Sequence, residues 1–132
     1  MFQIKIKTSA REQGIDITPQ IKQLIQKTGV KEGICFLYCP HATAAVTVAE
    51  SYDPNVLKDI TNCLNKLIPK GKWLHDRIDN NGDAHIKAAI VGPSLAIPIQ
   101  NKKLALGTWQ NIILLEFDGP RERTILCKIQ GE

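Results

Sequence analysis

The chain contains no apolar run approaching the ~20 residues that a membrane-spanning helix requires. Its first residues, Met1-Phe2-Gln3-Ile4-Lys5-Ile6-Lys7, alternate apolar with charged or polar side chains, where a secretory leader needs an unbroken apolar stretch. Aromatic residues are scarce, at 5%, and the basic residues are scattered; a nucleic-acid surface would cluster Lys and Arg and interleave stacking rings. Nor does one sign of charge dominate, since 17 Lys+Arg against 13 Asp+Glu leave only +4. No glycine-containing stretch matches a Walker or dinucleotide loop, and there is no internal repeat or linker. These absences argue against membrane, nucleic-acid and nucleotide-cofactor binding, and the expected compartment is the cytoplasm.

Cysteine is present four times but without a useful spacing. Cys35 and Cys39 share one apolar run that reads as a strand, and four residues of strand span about 13 Å. That is too far for a disulfide, whose Cα atoms lie about 4.4–6.8 Å apart, or for a shared metal. Cys63 falls on a helical apolar stripe and Cys127 alternates with Ile125 and Ile129, so all four are expected to be buried, reduced thiols.

What the 132 residues do contain is an ordinary globular composition, 43% hydrophobic and 23% charged, enough for a single domain over 1–132. Residues 2–8 alternate with period two, which predicts a first strand. Thr18-Pro19 predicts a helix start, with Thr18 as cap, and Gly29 its end. The run 34–39 is almost wholly apolar, which predicts a central strand covered on both faces, ended by Pro40. A further strand is expected over 46–49. Asp53-Pro54 opens the longest helix, with Val56, Leu57, Ile60, Cys63, Leu64, Leu67 and Ile68 forming a stripe that should pack on a sheet. A short helix over 83–91 ends at Gly92-Pro93. Strands follow over 94–100, 103–106, 109–117 and 122–129, the last two joined by the turn signal Asp118-Gly119-Pro120. Strands without regular intervening helices predict an α+β fold with a largely antiparallel sheet or sandwich.

The chemistry-bearing residues lie between these elements. His41 follows Pro40, His75 sits in an irregular stretch, and His85 lies on the short helix. They are either three independent hydrogen-bonding imidazoles or the three protein ligands of a divalent metal with an open fourth position. Each has acids or amides nearby: Glu50 and Asp53 after His41, Asp76 beside His75, Asn81 and Asp83 before His85. A carboxylate there could orient an imidazole, and Glu50 could act as a general base; Asp53 is already accounted for as a helix cap. Arg121 and Arg123, two apart where the last strand begins, suit phosphate recognition. Thr43 could donate its hydroxyl to a ligand oxygen. Trp109, in Leu106-Gly107-Thr108-Trp109-Gln110, reads as a core or subunit-interface anchor.

Taken in order, several motifs resemble those of the YjbQ family, whose members are labelled secondary thiamine-phosphate synthases. They are His41-Ala42-Thr43-Ala44-Ala45, Glu50 with Asp53-Pro54, His75-Asp76, Asn81 through Ala84-His85, Gly92-Pro93-Ser94, the Trp109 segment, and Asp118-Gly119-Pro120-Arg121-Glu122-Arg123. The resemblance spans about residues 2–131. It implies a compact α+β domain assembled as a homotrimer, with shared polar residues in a cleft near the subunit boundary. It further implies that His41, His75 and His85 hold a divalent metal, zinc by preference, that Glu50, Asn81 and Arg121 are catalytic, and that Thr43 and Arg123 contact the ligand. One departure is Thr47-Val48-Ala49, where the family usually carries Thr-Ile-Asn before the glutamate. The implied function is a metal-dependent enzyme on a phosphorylated small molecule, with weak thiamine-phosphate formation from a pyrimidine diphosphate and a thiazole phosphate. The alternative from another class is a non-catalytic trimeric module that binds a metabolite or anion.

Overall fold

A computed structural model describes residues 1–132 as an α+β domain. Eight strands, β1 (Phe2–Lys7), β2 (Gln13–Asp16), β3 (Gly33–Tyr38), β4 (Ala44–Ala49), β5 (Ser94–Gln100), β6 (Lys103–Leu104), β7 (Asn111–Glu116) and β8 (Glu122–Gly131), form two sheets. Their orders are β1-β8-β3-β5-β6 and β2-β7-β4, and every pairing is antiparallel. The helices are α1 (Thr18–Thr28), α2 (Pro54–Leu67) and α3 (Gly82–Val91), with a 3₁₀ turn at Leu74–Arg77. No helix is long and apolar enough to cross a membrane.

Period-two patterning decides which face of each strand meets the core. Ile4 and Ile6 of β1, Cys35 and Leu37 of β3, Ile97 and Ile99 of β5, and Ile125 and Cys127 of β8 turn inward. They meet Ile112 and Leu114 of β7 and Val46 of β4, while Ile21 and Ile25 of α1 close one side of this inter-sheet core. The alternate residues of β7, Ile113 and Leu115, face outward from that core into a second cluster with Ala84 and Ala88 of α3. The near-continuous apolarity of 112–115 therefore reflects burial on both faces within one chain.

Several expectations require correction. β3 is central but covered on one face only: Ile34, Phe36 and Tyr38 are 53%, 43% and 40% exposed on the outer side of the larger sheet. Thr18 does not cap α1. Its Oγ1 accepts the Ile112 N–H at 2.8 Å, tying the helix start to β7, and the Thr18 N–H donates to Asp16 Oδ1 at 2.9 Å. Asp53 does cap α2, accepting the Asn55 N–H at 2.9 Å, and the α2 stripe packs through half-buried Leu57 and Leu64 against the Ile113–Leu115 face of β7, although none of its residues is fully buried. Cys63, on that helix, is exposed, whereas Cys35, Cys39 and Cys127 are buried free thiols. Cys35 Sγ and Cys127 Sγ lie 3.8 Å apart across β3 and β8, unbonded. Trp109 precedes β7, is 59% exposed, and packs its ring 5.8 Å from Tyr52 at the surface, which removes the core alternative of its expected anchor role.

Candidate functional site

One cleft of about 670 Å³ opens where the chain leaves β3, enters α3 and turns from β7 into β8. His41, Ala42 and Thr43 form one wall, Asp79, Asn81 and His85 a second, and Asp118, Arg121 and Arg123 a third. Six of the residues expected from the sequence are thus near one another. Two are not among the lining residues: Glu50 and His75.

The inner wall is a buried ion pair. Arg123, on β8 and 2% exposed, donates from Nε to Glu116 Oε2 at 2.8 Å and from Nη2 to Oε1 at 2.5 Å. Nη2 also reaches Thr43 Oγ1 at 2.8 Å. Glu116, at the end of β7, further accepts from Thr8 Oγ1 at 2.9 Å and from the Asp118 N–H at 3.0 Å. Burial by itself would raise the Glu116 carboxyl, but these donors, Arg123 above all, outweigh it and hold the group below the usual carboxylate range. The pair leaves Arg123 Nη1 with no acceptor in the chain and the side chain fixed at the cleft floor.

The turn Asp118–Arg121 supplies the rim. Asp118 Oδ2 accepts from Asn81 Nδ2 at 2.8 Å and from Arg121 Nη2 at 3.2 Å, while Arg121 Nε donates to the Asp118 carbonyl at 2.9 Å. A carboxylate can only accept, so the Asn81 amide nitrogen faces Asp118 and its Oδ1 is left without a partner. The turn contains a cis Gly119–Pro120 bond and packs on the β1–β2 connection. A Cβ at Gly119 would stand 2.4 Å from the Ala10 carbonyl oxygen and 2.8 Å from Thr8 Oγ1, so only glycine fits this approach.

The second wall depends on how α3, which carries His85, is docked. Asp83 and Lys87, both fully buried, pair at 3.2 Å, and Arg11 Nη2 reaches Asp83 Oδ1 at 3.0 Å. Burial pushes the Asp83 carboxyl up, but Arg11 and Lys87 more than offset it, so Asp83 remains ionised. Asp76, expected beside His75 as a possible imidazole partner, instead accepts the Trp73 N–H at 3.0 Å and the Gly82 N–H at 2.8 Å. It ties the 3₁₀ turn to the start of α3. A Cβ on Gly82 would come 2.6 Å from Trp73 Cβ.

The three histidines have different roles. His41 Nε2 lies 2.9 Å from the Thr124 N and 3.2 Å from the Thr124 O. An amide N–H can only donate, so the neutral ring accepts at Nε2 and carries its proton on Nδ1. Burial, reinforced by the Arg123 charge, disfavours the imidazolium and lowers the His41 pKa. His41 is a neutral donor, and neither of its nitrogens offers a free lone pair. His75 and His85 meet edge to face at 4.6 Å, with His75 Nε2 3.5 Å from Asp79 Oδ2 and not hydrogen-bonded. No three His, Cys, Asp or Glu side chains are placed to hold a metal ion. Of the three histidines expected to share a metal, His41 is engaged through Nε2 by β8, His85 lines the cleft, and His75 lies behind it. Glu50 follows β4 at the end opposite Thr43, roughly 20 Å along the strand at 3.3 Å per residue, and makes no contact with the cleft in the same chain.

Residues that sequence reasoning passed over include Glu116, which looks like the tail of an apolar strand, and Asp118, taken only as a turn former. The acidic end of the β7 run beside the Arg121/Arg123 pair was the available signal.

Comparison with known proteins decides the relationship. The family model for UPF0047 protein YjbQ-like matches residues 2–132. The chain belongs to the YjbQ/UPF0047 family. It is 48% identical over 132 residues to UPF0047 protein MJ1081 of Methanocaldococcus jannaschii, covering 100% of this chain and 95% of that one. Identity to UPF0047 protein YugU of Bacillus subtilis is 41% over 128 residues, covering 97% of each. The crystal structure of a YjbQ/UPF0047 protein from Clostridium acetobutylicum superposes with a TM-score of 0.94 at 44% identity, covering 98% of this chain and 100% of that one. The match to these relatives extends over at least 95% of each chain compared, and the fold is that of the Clostridium acetobutylicum structure.

Proposed function

We propose that the cleft is the active site of an enzyme acting on a phosphorylated small molecule. The observation that supports this most is the set of donors left over around it: Arg123 Nη1, the N–H groups of half-exposed Arg121 that Asp118 does not take, and the Nδ1–H of neutral His41. Guanidinium groups match phosphate oxygens in a bidentate fork, and a neutral donor adds a hydrogen bond that does not titrate near pH 7. Thr43 Oγ1 accepts from Arg123, so its own proton is directed to another acceptor. His85 is the cleft imidazole free to take or give a proton, with His75 against its edge and Asp79 beyond. In the thiamine-phosphate reaction implied by the family resemblance, Arg121 and Arg123 would hold the leaving pyrophosphate, but its pyrimidine and thiazole rings would find no aromatic side chain in the cleft to pack on, which favours a different phosphorylated substrate.

A second reading, a binding module without turnover, is favoured by the absence of a nucleophile paired with a base: the one cleft hydroxyl faces a guanidinium. Calorimetric titration with inorganic phosphate and pyrophosphate tests the shared claim. Arg121→Ala should weaken binding at least tenfold, about 1.4 kcal/mol, with an unchanged melting temperature. Failure of the native protein to bind either anion at millimolar concentration would overturn both readings, and tight binding of a substrate without conversion would leave the module.

The same reading includes assembly as a homotrimer through the outer face of the larger sheet. Ile34, Phe36 and Tyr38 form an exposed apolar row there, and the chain passes from Tyr38 through Pro40 directly into the cleft at His41.

A further inference from the structure

Building on the phosphate reading of the cleft, we infer that its ligand is a compact phosphate ester bearing hydroxyl groups, a polyol or sugar phosphate, and not an aromatic phosphate. Two features of the lining support this. First, no Phe, Tyr or Trp lines the cleft, and its only side chains without a polar atom are Pro40 and Ala42. Ligand pockets that hold rings are usually lined by apolar and aromatic groups that bury them. Here a ring would gain little from burial, and the imidazole of His85 already packs against His75.

Second, the guanidiniums share the cleft with two solvent-accessible carboxylates, Asp79 and Asp118. Asp79 is 61% exposed at its side chain and has only His75 nearby, at 3.5 Å and without a hydrogen bond. Asp118, 21% exposed at its side chain, receives donors on Oδ2 only, which leaves Oδ1 open to a ligand, whereas Asn81 Oδ1 is shut off from solvent. Carboxylates beside a phosphate repel bare phosphate oxygens and lose water on ligand entry. That loss is made good only if the ligand brings hydrogen-bond donors to them. Asp118 is already compensated by Arg121, so neutral O–H donors, several of them on a short chain, complement these carboxylates better than a single ammonium. A volume of about 670 Å³ accommodates such a molecule.

The test is calorimetry on the full chain with inorganic phosphate, glycerol 3-phosphate, ribose 5-phosphate, phenyl phosphate and 2-aminoethyl phosphate. The hydroxylated esters should bind at least tenfold more tightly than phenyl phosphate, and Asp79→Ala should reduce that ratio toward one. Phenyl or aminoethyl phosphate binding as tightly as the hydroxylated esters would overturn the inference while leaving the phosphate reading intact. So would a preference unaffected by Asp79→Ala. If inorganic phosphate and every ester fail to bind, the phosphate reading fails and this inference with it.

Discussion

Arg123 has five N–H donors and commits three of them, through Nε and Nη2, to Glu116 and Thr43. That division explains how one residue serves stability and recognition together. Removing the partner's charge tests it: Glu116→Gln leaves a buried guanidinium poorly compensated and should cost about 3–5 kcal/mol in urea unfolding. The pH dependence follows from the same groups. Glu116 and Asp83 have folded pKa values below their unfolded ones, so their contribution is present at neutral pH and is lost as pH falls through the carboxylate range. His41 is also lowered, and its unfolded form therefore takes up protons first. Its contribution is complete above the ordinary histidine value of about 6.5 and is lost as pH drops below it. Melting temperatures measured between pH 7.5 and 5 should decline, and His41→Gln should flatten that decline.

Among the elements, the loops around the cleft are held by contacts that only folding creates. The turn between β7 and β8 approaches the β1–β2 connection so closely that Gly119→Ala should destabilise by about 1–3 kcal/mol, read from chemical denaturation, as expected of an overpacked site. Helix starts and stops were legible where punctuation is local: Asp53 and Gly29 act as their residue types predict. β7 was legible because burial on both faces leaves no polar alternation. The four residues of β2, Gln-Gly-Ile-Asp, carry no such signal; they become a strand because β7 offers a partner at Leu114 and Ile113. Thr18 was misread because a hydroxyl beside a helix start suits a cap and a cross-element hydrogen bond equally well. For the site, histidine and arginine identities were visible in the sequence, but which ring nitrogen is engaged depends on the register of β8 at Thr124. Glu50 was grouped with the site by order along the chain, and the length of β4 separates it.

For the whole molecule, the exposed row Ile34, Phe36 and Tyr38 is the feature that a single chain leaves unexplained. Phe36→Asp should change the sedimentation mass from three chains to one while the far-ultraviolet circular dichroism stays the same. A native protein that sediments as one chain at micromolar concentration would remove the trimer. The apolarity of β7, by contrast, says nothing about assembly, because α3 and the inter-sheet core already cover it.

The Glu116–Arg123 pair carries a constraint on how this scaffold can diversify. Its two strands also build the centre of the sandwich, so altering the cleft floor to suit a different ligand would undermine the domain that presents it. Variation among descendants of this fold should therefore concentrate on the rim, at Asp79, His85 and Arg121, where a side chain can be exchanged without touching the foundations.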